Sequence, residues 1–296
     1  MWKKTIEVTP PYNFDELLER SALDPLNKIE FHERTMYVPL YDQGSRPFVV
    51  SVQATGTTDE PTFVITGHDE KQKEHAIQEL ERIFQWNHSL NEIYNHFSKT
   101  SLAQLFQQHH GTPFMLDFHV YDCLMKCIIH QQLNLSFAHQ LSASFARTFG
   151  TTIDGVYFYP KPEDVASLSY EDLRSMKFSQ RKAEYVIDTS RLIAEGNLPL
   201  DHLSDMSDDE VMKTLVKIRG IGPWTVQNVL MFGLGRPNLF PVADIGLQNA
   251  IKKYFNLDRK PTKEEMEAYS KDWSPYLSYA SLYLWRSIEK KRRETE

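Results

Sequence analysis

Apolar and polar positions alternate in one part of this chain and recur at helical spacing in most of the rest. Residues 35–41, 47–54 and 61–66 are short runs rich in Val, Ile, Thr, Phe and Tyr, residue types that suit a pleated, half-buried surface. Asp42-Gln43-Gly44-Ser45 and residues 55–60 supply turn chemistry between them, so the sequence predicts an antiparallel meander. Over residues 69–86 the period changes. Ala76, Ile77, Leu80, Ile83 and Phe84 fall on one helical face, opposite a charged one. Strands followed by a long helix make a small α+β layer.

Beyond Ser89 the pattern is almost wholly helical. Ser89 and Glu92 have the spacing of a capping box, and Gly111 is placed to close a helix that begins near Ser101. Residues 117–131 form an amphipathic stretch, followed by another over 135–149, and residues 151–162 read as an aromatic-containing loop with Pro160 and Pro162. Further helices are predicted over 170–176, 180–195, 208–218, 223–233, 244–255, 262–273 and 275–290. The fold class is therefore α+β. A small N-terminal sheet domain spans residues 1–110, and a mainly α-helical body spans residues 111–296.

With 296 residues, 41% of them hydrophobic, the chain can build more than one core. No apolar run approaches the roughly 18 residues of a membrane span, and Met1-Trp2-Lys3-Lys4-Thr5-Ile6-Glu7 lacks the apolar segment of a secretory signal. Cys123 and Cys127 are the two cysteines. Two thiols alone do not make a metal site, and buried thiols in a reduced compartment, the cytoplasm, are the simpler reading. No membrane association and no metal are expected.

The most specific segment is Leu215-Val216-Lys217-Ile218-Arg219-Gly220-Ile221-Gly222-Pro223-Trp224-Thr225-Val226, followed by Phe240-Pro241-Val242-Ala243-Asp244. It predicts a helix, a two-glycine turn and a second helix. Both Gly220 and Gly222 permit positive φ and close approach of a partner backbone, and Pro223 suits the first helical position. Such a turn presents N–H groups to one phosphate. By local chemistry alone, Asp244 caps the helix after it. The arrangement resembles the helix–hairpin–helix DNA glycosylases, and the order of a sheet domain and then a helical body resembles their AlkA type.

The resemblance implies a helical body of two lobes with the active site between them, and damaged double-stranded DNA as partner of a monomer. It makes Asp244 the catalytic carboxylate, places Gly220 and Gly222 on a DNA phosphate, and allows a monovalent cation at the hairpin carbonyls, with no cofactor required. Lyase-competent relatives carry a lysine at the position of Trp224. An indole forms no Schiff base, so the resemblance implies a monofunctional enzyme. Trp224 also offers a π-face to a cationic alkylated purine.

His130-Gln131-Gln132-Leu133-Asn134 resembles the family's wedge loop, whose side chain fills the gap left by an extruded base. Gln132 matches the inserted position, Leu133 is the apolar alternative, and Asn134 also suits a helix cap. Trp273-Ser274-Pro275-Tyr276-Leu277-Ser278-Tyr279-Ala280 resembles another family segment, beyond which Trp285 matches a pocket tryptophan, while Arg286 and Ile245 stand where aromatic residues line the family pocket.

The net charge of −7 argues against a protein that coats DNA. The acidity sits away from the hairpin, however: residues 1–110 are net −6 and residues 236–296 net +3. The implied activity is excision of alkylated purines such as 3-methyladenine. Two rivals stay open: a glycosylase for oxidised or mismatched bases, and a non-catalytic module that binds distorted DNA.

Overall fold

The structure, a computed structural model, describes residues 1–289. Strands β1 (Trp2–Glu7), β2 (Lys28–Glu30), β3 (Thr35–Tyr41), β4 (Pro47–Ala54) and β5 (Thr62–Gly67) form one antiparallel sheet in the order β1-β5-β4-β3-β2. The expected meander is present as β3-β4-β5. Its register sets Met36 opposite Val52, Val38 opposite Val50 and Leu40 opposite Phe48, so one face is continuously apolar and buried. Helix α1 (Phe14–Ser21) buries Phe14, Leu17 and Leu18 and is capped by Asn13, whose side chain accepts the Glu16 N–H at 3.1 Å. Helix α2 (Lys73–Phe84) buries Ala76, Leu80, Ile83 and Phe84, as its periodicity predicts.

The helical body comprises α3 (Leu90–Phe97), α4 (Ala103–Gln108), α5 (Val120–His130), α6 (Leu135–Phe149), α7 (Pro162–Ala166), α8 (Tyr170–Ser175), α9 (Gln180–Ala194), α10 (Asp208–Leu215), α11 (Pro223–Asn228), α12 (Ile245–Tyr254), α13 (Lys263–Tyr269) and α14 (Leu277–Arg286). Helix α11 runs on through a π turn, Val229–Gly233. No helix among the described residues is long and apolar enough to cross a membrane.

Several local expectations are corrected. Residues 151–162 are not simply a loop: β6 (Thr151–Ile153) and β7 (Val156–Phe158) form a hairpin across Asp154-Gly155, both at positive φ, the turn chemistry that such a hairpin demands. Ser89 is an N-cap, but its side chain makes no capping bond. Gly111 does not end α4, which stops at Gln108; its left-handed backbone lies against Pro11 and Asn13 instead. Helix α10 stops at Leu215, one turn short of the predicted end. The last helix ends at Arg286, and the expected endpoint at residue 290 lies outside the described residues.

Two main apolar cores form. The first joins the sheet and α1–α4 to Met231, Phe240 and buried residues of α12–α14. The second is built from α5–α11 with Leu26. Phe232 and Leu239 pack against both. Cys123 and Cys127 are buried free thiols, and among the described residues no His, Cys, Asp and Glu group could hold a metal.

A buried ionic cluster links α5 to the N-terminal region. The Lys126 ammonium donates to Asp117 at 2.7 Å and lies 3.0 Å from Asp24, a residue of the N-terminal region. Asp122 is also buried on α5. Burial raises its carboxyl to about 8, with Asp117 and Asp24 adding to the rise and Lys126 opposing it. An unfolded chain holds that group near ~3.9. Between those values only the folded protein keeps the proton, so stability falls as pH rises from about 4 to about 8. Asp122→Asn mimics the neutral acid. The variant should therefore exceed wild type in stability at pH 8, and the gap should close by about pH 4. Urea unfolding across that range measures it, and a gap that ignores pH would refute the assignment.

Candidate active site

Helix α10 begins with a capping box in which Ser207 and Glu210 satisfy each other's backbone N–H groups. The chain then turns through residues 216–222 into α11. Gly220 has φ +92°, and a Cβ there would lie 2.2 Å from the Tyr185 ring of α9. Backbone and packing both require glycine at that position. Gly222 is different: its φ is −105°, so the expectation of positive φ at both glycines is corrected. It is the N-cap of α11, and a Cβ on it would meet nothing within 4 Å. Its missing side chain leaves the first turn of α11 open to a partner. Pro223 takes the first helical position as expected. Of the nearby cations, Arg219 pairs with Glu184 at 2.6 Å and lies over Tyr185, while Lys217 is exposed.

Twenty residues after Trp224 the chain reaches Asp244, the N-cap of α12. Its backbone is extended, and Oδ1 accepts the Leu247 N–H at 2.7 Å. The capping expected from local chemistry is thus present. Two further donors converge on the same carboxylate. Trp285 of α14 donates its indole N–H to Oδ1 at 3.0 Å, and Trp224 of α11 donates to Oδ2 at 2.9 Å. Three separate helices therefore present N–H groups to one half-buried carboxylate. The loop before it is fixed by the Asp244 N–H on the Pro241 carbonyl and by Gln248 on that of Val242. Within α11 the Asn228 side chain donates to the Trp224 carbonyl at 2.8 Å.

Aromatic surface continues from this point. Phe232, on the π turn, has its ring centroid 5.9 Å from that of Trp285 and stacks on Phe114 at 5.0 Å. Ile245, adjacent to Asp244, is 63% exposed. The other aromatic residues of the late segment have different roles. Trp273 is fully buried and donates to Ser101, and Tyr279 is buried. Arg286 is buried in an ionic cluster with Glu16, Glu19 and Glu289. The hydrogen bond to His109, followed by the hydrogen bond and ion pair with Arg286, holds the Glu16 carboxyl at about 2.

The loop after α5 is clamped to the hairpin. Gln131 donates from Nε2 to the Gly220 carbonyl at 2.8 Å and to Thr225 Oγ1 at 2.9 Å. Lys182 Nζ donates to the carbonyls of Ile128, Ile129 and Gln131 at 3.1, 2.6 and 3.0 Å, closing the end of α5. Burial lowers its pKa to about 8. Held this way, Gln132 is exposed and in the left-handed region at φ +57°. Leu133 is half-buried against the second core. Asn134 caps α6 by accepting the Phe137 N–H at 2.9 Å.

The structure thus brings Asp244, Trp224 and Trp285 into direct contact, and joins Gly220 to the loop of Gln132 and Leu133 through Gln131. Sequence reasoning missed Gln131, Lys182, Phe232 and Gly246, the last of which lies against Asp244 and Trp285. Gln131 carried a signal, as part of a segment already singled out.

The family description "HhH-GPD superfamily base excision DNA repair protein" matches residues 125–275. The chain is 60% identical to "Putative DNA-3-methyladenine glycosylase YfjP" of Bacillus subtilis, over 98% of this chain and all of that one. It is 40% identical to a DNA-3-methyladenine glycosylase of the same organism, over 57% of each chain. The solved 3-methyladenine DNA-glycosylase of Archaeoglobus fulgidus superposes with a TM-score of 0.85 at 22% identity, covering 97% of both chains. The chain belongs to the HhH-GPD superfamily of base excision DNA repair proteins.

Proposed function

We propose that the protein is a monofunctional DNA glycosylase that extrudes alkylated purines such as 3-methyladenine from duplex DNA and hydrolyses their N-glycosidic bond. The Asp244 carboxylate carries this reading. A carboxylate offers about four lone-pair positions, and the three N–H donors leave one on Oδ2. That oxygen can face the deoxyribose C1′, where positive charge develops as the bond to the base breaks. The bonding pair leaves with the purine, water adds to C1′, and a proton is released. An alkylated purine already carries positive charge, so its departure needs no strong general acid.

Indole and phenyl faces at Trp224, Trp285 and Phe232 suit a flat cationic base. Gln132 is an exposed side chain on the loop that would fill the vacated stack, with Leu133 packed against the second core. The Gly222 gap would admit one backbone phosphate, which contributes position and not sequence. The hairpin carbonyls of Ile218 and Gly220 already accept from Ile221 and Gln131, but each keeps a second lone pair, so the turn fits a monovalent cation. Such an enzyme would act as a monomer on cytoplasmic DNA.

Release of methylated bases from alkylated duplex DNA, followed by chromatography, tests the activity. Asp244→Asn should lower it by about a hundredfold or more while the protein stays folded. Full activity in that variant would sink the mechanism.

Wild type should form no borohydride-trapped crosslink with damaged DNA, because Trp224 has no amine. Trp224→Lys removes the donor to Oδ2 and an indole face, so excision should fall by about tenfold or more. Undiminished excision by the folded variant would take Trp224 out of the site.

The two hairpin glycines should separate in their effects. Gly222→Ala, with open space around its Cβ, should keep wild-type stability and lose DNA affinity by about tenfold. Gly220→Ala should lose stability by about 1–3 kcal/mol. Thermal unfolding paired with DNA titration distinguishes them, and normal DNA affinity in Gly222→Ala would place the phosphate elsewhere.

A further inference from the structure

Gly246 stands at the second position of α12, two residues past Asp244. Glycine is the poorest helix former after proline, and here no left-handed backbone demands it, since its φ lies outside that region. Space does. A Cβ at Gly246 would lie 3.0 Å from Asp244 Oδ1, 3.4 Å from Trp285 Nε1 and 3.5 Å from Trp285 Cδ1. These are the two partners of the 3.0 Å bond between α14 and the carboxylate. The indole crosses the first turn of α12 over the one position that has no side chain.

We infer that Gly246 is a positioning residue: its bare backbone lets the Trp285 indole close on Asp244 and fixes which way the carboxylate turns. The inference rests on the glycosylase reading for its effect on rate, but not for its effect on geometry. The Leu247 N–H and the Trp224 indole still orient Asp244 when the Trp285 bond is disturbed. What is lost is the third point that stops the carboxylate from rotating. Misplacement of a reacting group by a fraction of an ångström is costly to rate and barely felt in binding.

Gly246→Ala in the full chain tests this. The protein should stay folded, because the helix propensity of alanine offsets part of the weakened Trp285 bond, while kcat for 3-methyladenine release falls by about tenfold with little change in KM. In a Trp285→Phe background, which lacks the indole N–H, the same substitution should change kcat by less than about twofold. An independent readout is the Trp285 indole N–H resonance, assigned by its loss in Trp285→Phe. It should move in both Gly246→Ala and Asp244→Asn. An equal loss of kcat in both backgrounds, or an unmoved resonance, overturns the inference. A moved resonance in a protein that releases no alkylated base would overturn the glycosylase reading and leave the role of Gly246 standing.

Discussion

The Asp244 carboxylate accepts N–H groups from α11, α12 and α14, and the first and last of these helices belong to different apolar cores. A hydrogen bond to a charged group is worth about 1.5–3 kcal/mol, and an abandoned half-buried donor costs a comparable amount. The two indoles therefore have no comparable alternative within the site. Trp224 and Trp285, and through them the two cores, are joined at one acidic side chain. The same bonds leave Oδ2 with its unused lone pair, so the structural duty of Asp244 leaves one electron pair for the chemistry proposed for it.

The surrounding fold keeps that group from drifting. Phe232 and Leu239 pack against both cores on the chain between α11 and α12. The π turn at Val229–Gly233 adds a residue to the helical course there, a distortion that recurs beside functional sites. Gln131 binds the loop after α5 to the hairpin, and Lys182 closes the end of α5. The hairpin, loop and carboxylate are thus connected by hydrogen bonds through α11, which supplies Thr225 to Gln131 and Trp224 to Asp244.

Much of this was legible in the residues. The meander, the long amphipathic helices and the helix–turn–helix around Gly220 follow from period and turn chemistry, and Asp244 could be read both as a cap and as a site residue. Strand β1 gave little signal, because an edge strand with mostly exposed side chains has no clean alternation. The β6–β7 hairpin was hidden by its three-residue strands, although Asp154-Gly155 announced the turn. Gly222 could not be told from Gly220, since glycine signals freedom without saying whether φ or space requires it. Phe232, Lys182 and Gly246 acquire meaning only from what other elements bring against them.

The order in which the two cores close has a consequence for synthesis. Residues of the second core, 121–230 apart from Leu26, interrupt the sequence of the first, which begins with Trp2 and ends with Leu284. A chain emerging from the ribosome exposes the sheet and α1–α4 with their apolar face incomplete, while the intervening lobe can already collapse on itself. Contacts such as that between Glu16 and Arg286 span 270 residues, and long-range closures of this kind are slow and leave apolar surface open in the meantime. The nascent protein is therefore most exposed to aggregation just before α12–α14 arrive, and Trp285 reaches Asp244 only as that window shuts.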